Sequence, residues 1–249
     1  MTTALAGLSA AVLFVLTLLV VYQWGLAILA IGSRRASPVR DRQQRTKFHV
    51  LIPAHNEELG LAATLQSLVA IRYPREDVDV TVVADRCDDA TAVVARSQGV
   101  RCLERQSGPH GKGAAIAWAI DELHRVQIGF DALVVVDADT VADPLLLAAF
   151  DDALAAGHEV QQAYNYLSNP WETPFTRLIA VTSVLRNRLF YGGKTRIGLS
   201  GMLTGTGMCL SQATIARHGW TAFSVGEDWE FSAALLLQSV SANEAFSVC

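Results

Sequence analysis

The sequence predicts an α/β fold, a largely parallel sheet with helices on both faces, preceded by one transmembrane helix. Three observations carry this. Leu5 to Ile31 is almost wholly apolar and uncharged, longer than the roughly 20 residues that span a bilayer. From Phe48 onward, short apolar runs alternate with segments of helical periodicity, as in a sheet built from βαβ units. Two of those runs end in acid: Thr81-Val82-Val83-Ala84-Asp85 and Leu133-Val134-Val135-Val136-Asp137-Ala138-Asp139. The ligand crevice of an open parallel sheet lies beyond the carboxyl ends of its strands, so Asp85, Asp137 and Asp139 are expected at one mouth.

The elements follow in order. The apolar N-terminal segment has Tyr22 and Trp24 toward its end, where an aromatic belt meets the membrane interface. No Lys or Arg precedes it, whereas Arg34, Arg35, Arg40, Arg42, Arg45 and Lys47 follow. The positive-inside rule therefore puts the N-terminus outside and the rest in the cytoplasm, a single-pass protein of the cell membrane. A cleaved secretory signal would need a charged n-region and a shorter apolar core. The expected organisation is an anchor over 1–32, a basic juxtamembrane linker over 33–47 and a soluble domain over 48–249.

Within that domain Phe48–Pro53 is a short strand, and Leu61, Leu65 and Leu68 have helical spacing. Val78–Ala84 is a second strand, followed by a helix near 90–98, a short strand near 100–103, a helix over 113–123 and the strand Leu133–Asp137. Asp143-Pro144 is the expected start of another helix, aspartate as N-cap and proline at the first helical position. Glu159–Tyr166 alternates like a half-exposed strand, Pro174–Tyr191 is helical, and a Gly-rich stretch occupies 198–207.

Composition narrows the function. With 249 residues, 51% of them hydrophobic, the chain can bury one substantial core. Its net charge of −4 and the lack of an extended basic stripe argue against nucleic acid as a partner. Cys87, Cys102, Cys209 and Cys249 have no metal-binding or disulfide-framework spacing and are expected as reduced thiols. The histidines lack metal-ligand spacing.

The candidate site residues lie at the strand ends and in glycine-rich turns. Pro53-Ala54-His55-Asn56-Glu57 follows the first strand and is a candidate grip on a base and ribose; its acidic end equally suits a helix N-terminus. In Asp85-Arg86-Cys87-Asp88-Asp89, Asp88 or Asp89 serves as an N-cap, which leaves Asp85 free for a ligand. Gly108-Pro109-His110-Gly111-Lys112-Gly113 lacks Walker spacing, yet its glycines admit a close backbone approach and Lys112 can neutralise a diphosphate. Asp137-Ala138-Asp139 is a D-x-D pair of oxygen donors for a hard divalent cation, with coordination positions left for nucleotide phosphates. Gly226-Glu227-Asp228 opens a helix, where Asp228 is either a first-turn acid or a general base.

Taken in order, these motifs resemble the family 2 glycosyltransferases of the nucleotide-sugar-binding GT-A type, over about His49 to Leu237. The flavour is similar to membrane-anchored bacterial enzymes of the cellulose synthase and poly-N-acetylglucosamine synthase neighbourhood. The resemblance implies a Rossmann-like GT-A fold and roles by position. Pro53, His55, Asn56, Glu57 and Asp85 would contact uracil and ribose, and Lys112 would lie by the nucleotide. Asp137 would meet the ribose or donor sugar and share the metal with Asp139, which would coordinate Mg²⁺ or Mn²⁺. Gly205 and Gly207 would shape the pocket between donor and acceptor. Asp228, in its pair with Glu227, would be the base of an inverting transfer from a UDP-sugar to a glycan or lipid-linked hydroxyl.

The sequence departs from the family pattern at His55, where Tyr or Arg is more usual, and at Ala84, which replaces the first acid of a D-D pair. The later Gln-x-x-Arg-Trp motif and the further membrane helices of processive relatives are missing, so a C-terminally truncated member is expected. The alternatives are a polyprenyl-phosphate sugar transferase using GDP-mannose or UDP-glucose, a non-catalytic nucleotide-sugar-binding homologue, and a nucleotidyltransferase. The last would carry a Gly-rich, basic signature after the first strand, where this chain has Pro53-Ala54-His55-Asn56.

Overall fold

The computed structural model describes residues 2–31 and 45–242. The basic linker expected at 33–47 lies, up to residue 44, outside the described residues, as does Cys249. In chain order the elements are α1 (Thr2–Ala30), β1 (Phe48–Ala54), α2 (Leu61–Val69), β2 (Val78–Asp85), α3 (Thr91–Ser97), β3 (Arg101–Arg105), α4 (Lys112–Arg125) and β4 (Ala132–Val135). They continue with α5 (Leu146–Ala155), β5 (Val160–Gln162), α6 (Pro174–Ser183), a π-helical stretch over Val184–Tyr191, α7 (Gly192–Arg196), β6 (Met208–Ser211), α8 (Gln212–His218) and α9 (Glu227–Ala242).

Two compact units result. One comprises Met1–Arg35 and Tyr166–Gly201, and the other comprises Ala36–Asn165 and Met202–Cys249.

The larger unit holds a six-stranded sheet in the order β3-β2-β1-β4-β6-β5. β1 pairs in parallel with β2 and β4, and β2 with β3, whereas β6 runs antiparallel to both β4 and β5. The order reverses between β1 and β4, so the chain builds outward from β1 in both directions. Such a reversal leaves a crevice at the carboxyl ends of the strands.

Alternation along β1 sets the two cores. Phe48, Val50 and Ile52 pack on one face with Leu61 and Leu65 of α2 and Leu147 and Phe150 of α5. Leu51 packs on the other with Ile116 and Ile120 of α4 and Phe231 of α9. A strand buried on both faces is expected for a central parallel position, which is why β1 is apolar almost throughout. His49 is the polar exception: it is fully buried, its Nε2 lies 3.0 Å from Thr81 Oγ1, and burial lowers its pKa to about 4.

The smaller unit contains α1, α6, the π-helical stretch and α7. Thr173 caps α6 through a reciprocal capping box with Thr176, and Pro174 takes the first helical position. Gly193 permits the backbones of α7 and α1 to touch: a Cβ there would lie 2.2 Å from Leu26 O. Tyr22 and Phe190 meet edge to face, 6.3 Å between ring centres.

The structure corrects three local expectations. Asp143 does not cap α5. Its carboxylate accepts from Leu145 N at 2.8 Å and its carbonyl from Leu146 N at 3.0 Å, a turn that delays the helix to Leu146. The strand expected over Glu159–Tyr166 is confined to Val160–Gln162, because its partner β6 is itself only four residues long. β6 and α8 arise where no element is expected from the sequence.

Candidate active site

The carboxyl ends of β1, β2 and β4 and the start of α4 surround a cavity of about 370 Å³ in the larger unit. β1 delivers Pro53, Ala54 and His55, with Glu57 just beyond. β2 delivers Asp85 and Arg86; Asp137 and Asp139 follow β4; and His110, Gly111 and Lys112 open α4. Residues far apart in sequence, each singled out by its place at a strand end, therefore share one cleft.

At the β2–β3 side the geometry is closed. Parallel pairing sets Asp85 opposite Arg105, the last residue of β3. Arg105, only 3% exposed, donates from Nη1 to Asp85 Oδ1 at 2.7 Å, and Arg86 Nη1 reaches the same oxygen at 3.0 Å. Both guanidiniums also bind the following loop: Arg105 the Pro109 carbonyl, Arg86 the Gly108 and Pro109 carbonyls. One carboxylate thus orders both arginines and, through them, the turn ahead of Lys112. His55 Nδ1 lies 2.7 Å from the Asp85 carbonyl, fixing the β1 turn to the β2 end. Asn56 turns the chain in a left-handed conformation, φ 58°, and its side chain accepts from Asp88 N at 2.8 Å. Its role is to hold the turn; it does not line the cavity. Asp89 accepts from Thr91 N at 2.9 Å in a turn just ahead of α3, but neither it nor Asp88 is the N-cap expected from the sequence: that position is Ala90.

On the β4 side Lys112 is the hub. Its Nζ lies 2.5 Å from Asp137 Oδ1, 3.5 Å from Glu227 Oε1 and 2.6 Å from the Gly205 carbonyl. Gly205 has φ 84°, and a Cβ there would sit 3.4 Å from Asp228 Oδ2 and 3.6 Å from Lys112 Nζ. Lys112 and Asp228 therefore meet at one backbone bend, with Glu227 tied to it through the lysine. Gly207, φ 69°, joins this bend to the sheet: its N–H donates to Val135 O at 2.8 Å, and a Cβ would press on Ala163 Cβ at 2.7 Å. Thr206 Oγ1 accepts from Asp137 N at 2.9 Å and steadies the D-x-D turn. Gly205, Gly207, Glu227 and Asp228 stand behind Lys112 and Asp137 and do not line the cavity themselves. Glu227 is buried, and Asp139 is exposed at the mouth.

Negative charge is in surplus here. Burial pushes the Asp137 carboxyl above its ordinary range, Asp139 and Asp228 add to the rise, and Lys112 opposes it. Burial also raises Glu57, with Asp139 and Asp137 next in weight. Among the described residues no group of three or more acid, histidine or cysteine side chains closes on one point as a metal cage. A pair of carboxylates beside an unbalanced acidic surface instead fits a hard cation that draws its remaining ligands from substrate phosphates and water.

Sequence reasoning missed Arg86 and Arg105, and it included Thr206 only as part of the Gly205–Met208 stretch. An isolated arginine ending a short strand carries no signal until the β2–β3 register sets it against Asp85.

The comparisons with known proteins agree with this architecture. The family described as "Glycosyltransferase like family 2" matches residues 45–243. The chain is 25% identical over 202 residues to "Probable glycosyltransferase YdaM" of Bacillus subtilis (strain 168), an alignment covering 75% of this chain and 46% of that protein. The chain thus spans less than half the length of this curated relative. Among solved structures it resembles the mannosyltransferase PcManGT from Pyrobaculum calidifontis in complex with GDP-Man and Mn²⁺, with TM-score 0.66 and 18% identity, over 92% of this chain and 63% of that one. It also resembles glucosyl-3-phosphoglycerate synthase from Mycobacterium tuberculosis in complex with Mn²⁺, UDP and glucosyl-3-phosphoglycerate, with TM-score 0.53 and 18% identity, over 90% and 71% of the two chains. These likenesses establish a GT-A fold, and with the match over most of its length the chain belongs to the family 2 glycosyltransferases.

Proposed function

We propose that the chain is a membrane-anchored inverting glycosyltransferase that moves a sugar from a UDP-sugar to a hydroxyl of a glycan or lipid-linked acceptor at the cytoplasmic membrane face. The observation that carries this reading is the convergence of Asp137 and Glu227 on Lys112, and of Lys112 and Asp228 on the Gly205 bend, beside a cleft with Asp85 at its far side.

Each residue has a task that follows from its chemistry. Asp85, oriented by Arg105 and Arg86, retains lone pairs to accept a ring N–H of uracil. The β1 turn from Pro53 to Glu57 closes over base and ribose, with His55 tied to the Asp85 carbonyl. Lys112 exchanges its contact with Asp137 for the diphosphate and holds negative charge on the leaving group. Asp137 then faces the ribose or donor sugar, and Asp139 with Asp137 would hold Mg²⁺ or Mn²⁺. When bound, the cation neutralises charge developing on the diphosphate.

Asp228 takes the proton of the acceptor hydroxyl as that oxygen attacks the anomeric carbon. The bond from this carbon to the diphosphate oxygen breaks, and its electron pair leaves with UDP. Glu227, buried and 3.5 Å from Lys112 Nζ, keeps the lysine aimed. Attack opposite the leaving group inverts the anomeric centre.

Calorimetry of UDP binding to the detergent-solubilised chain, with and without Mn²⁺, tests the donor site. Affinity should rise with Mn²⁺ and fall roughly tenfold in Asp139→Ala, the scale of one lost charge-assisted contact. UDP binding indifferent to both changes would overturn the metal assignment. GDP binding in place of UDP would overturn the choice of donor.

A further inference from the structure

The smaller unit carries an apolar stripe that the sugar-transfer site does not use. Phe175, Leu178 and Val181 recur every three residues along one side of α6, Trp171 stands in the turn before it and Leu185 in the π-helical stretch after it. All five are exposed, from 51% at Leu185 to 74% at Trp171. Three of them, Trp171, Val181 and Leu185, also line an apolar groove of about 250 Å³ together with Arg177. Arg186 and Arg188 follow, and Lys194 lies over the rings of Phe190 and Tyr191 at 5.5 and 5.8 Å. Between Tyr166 and Gly201 the sole acidic residue is Glu172.

The packing of this segment on α1 indicates what covers the stripe. The apolar run of α1, Leu5–Ala30, has 26 residues and mean hydropathy 2.5. At about 1.5 Å per residue it is roughly 39 Å long, against a hydrocarbon core of about 30 Å. Counted from Leu5, the hydrocarbon is filled by about Trp24, and the last turns emerge at headgroup level. The protein begins to cover α1 at this depth. Side chains from Leu5 to Trp24 are exposed, whereas Leu26 and Ala30 are buried. Their neighbours are Gly193, whose missing side chain lets it meet Leu26 O, and Gly192, whose added Cβ would stand 4.0 Å from Ala30 Cβ. Phe190 meets Tyr22 one turn earlier. The stripe therefore continues from an element that sits where α1 leaves the lipid.

We infer that Trp171–Leu185 is a membrane-interface element, its apolar stripe set into the acyl-chain boundary of an anionic bilayer and its basic residues at phosphate height. The inference rests on the reading of α1 as a membrane span. An amphipathic helix with aromatic and aliphatic side chains on one face and arginines beside them binds such a surface by apolar burial and by attraction to anionic lipid. Long basic side chains reach from the buried edge to the headgroups.

The full chain, reconstituted in phosphatidylcholine–phosphatidylglycerol nanodiscs whose acyl chains carry bromine near the glycerol, tests this through tryptophan quenching. Trp171→Phe and Trp24→Phe serve as subtractions, and at exposed positions neither threatens folding. The expected result is that each substitution removes part of the quenched emission, with the Trp171 component quenched about twofold or more, as for an interfacial ring. Quenching unchanged in Trp171→Phe but reduced in Trp24→Phe would overturn the inference and leave the α1 reading intact. Quenching unaffected by either substitution would overturn both.

Discussion

The two sides of the cleft are built on opposite electrostatic plans. At the β2–β3 side one carboxylate, Asp85, meets two guanidiniums, and both arginines also donate to backbone carbonyls, while the buried Arg105 Nε has no partner. At the β4–α4 side one ammonium, Lys112, serves Asp137 and Glu227, with Asp139 and Asp228 alongside. The first side has its carboxylate fully paired without a ligand. The second carries more negative charge than its lysine can balance. A cleft with one finished end and one charge-starved end is suited to a ligand with a neutral flat head and a tail that arrives with a cation.

Substitutions can break this comparison at either end. The largest effect is expected at Asp228→Asn, which on the proposed mechanism removes the base. Turnover should fall about 10²- to 10⁴-fold, the usual contribution of general base catalysis, while UDP affinity stays within about threefold. Comparable losses in both would show that Asp228 supports the donor site instead.

Arg105→Leu attacks the finished end. Removing one partner of a buried pair leaves charge uncompensated and costs about 3 kcal/mol, the lower bound being apt because Arg86 still holds Asp85. Urea unfolding at pH 7 measures it, and UDP affinity should fall with it. A variant as stable as the wild type would show that the Asp85–Arg105 pair is not structural.

His49 lies in β1, between the two ends, and separates damage to the frame from damage to a site. Burial holds its folded pKa near 4, below the ordinary 6.5, with Asp79 opposing and Arg101 adding to the drop. A depressed base contributes stability that is fully present above pH 6.5 and is lost as pH falls toward 4, because only the unfolded chain takes up the proton. The loss amounts to about 3 kcal/mol. Unfolding curves for the wild type and His49→Gln across this window should converge as pH falls; parallel curves would remove His49 from the account. The smallest effect belongs to Arg86→Ala. Its contact with Asp85 is partly exposed and Arg105 remains, so stability should change by less than about 1 kcal/mol. UDP affinity should fall about threefold through the loosened Gly108–Pro109 loop, and calorimetry reads this directly.

The sequence made the finished half of the sheet legible and left the other half obscure. β1, β2 and β4 are apolar runs that end in polar or acidic residues, so their ends, and with them His55, Asp85 and Asp137, follow from strand geometry alone. β6 is four residues after a glycine-rich bend and has no alternation to betray it. Its antiparallel place between β4 and β5 depends on long-range pairing that no local pattern encodes. Arg105 was hidden for a related reason: register, not residue type, aims it at Asp85. The helix at 174–191 was readable from its periodicity, but its association with α1 was not, because two adjacent glycines look like a loop signal until they are seen as a packing surface.

Gly113 links distant parts of the chain. A Cβ there would stand 2.1 Å from the Ala222 carbonyl and 3.2 Å from Glu227 Cβ, at the entry to α9. The ion pair between Lys112 and Glu227 depends on this close docking of the α9 entry on α4. A single hydrogen, where any other residue carries a carbon, thus sets how near the last helix can come to the lysine.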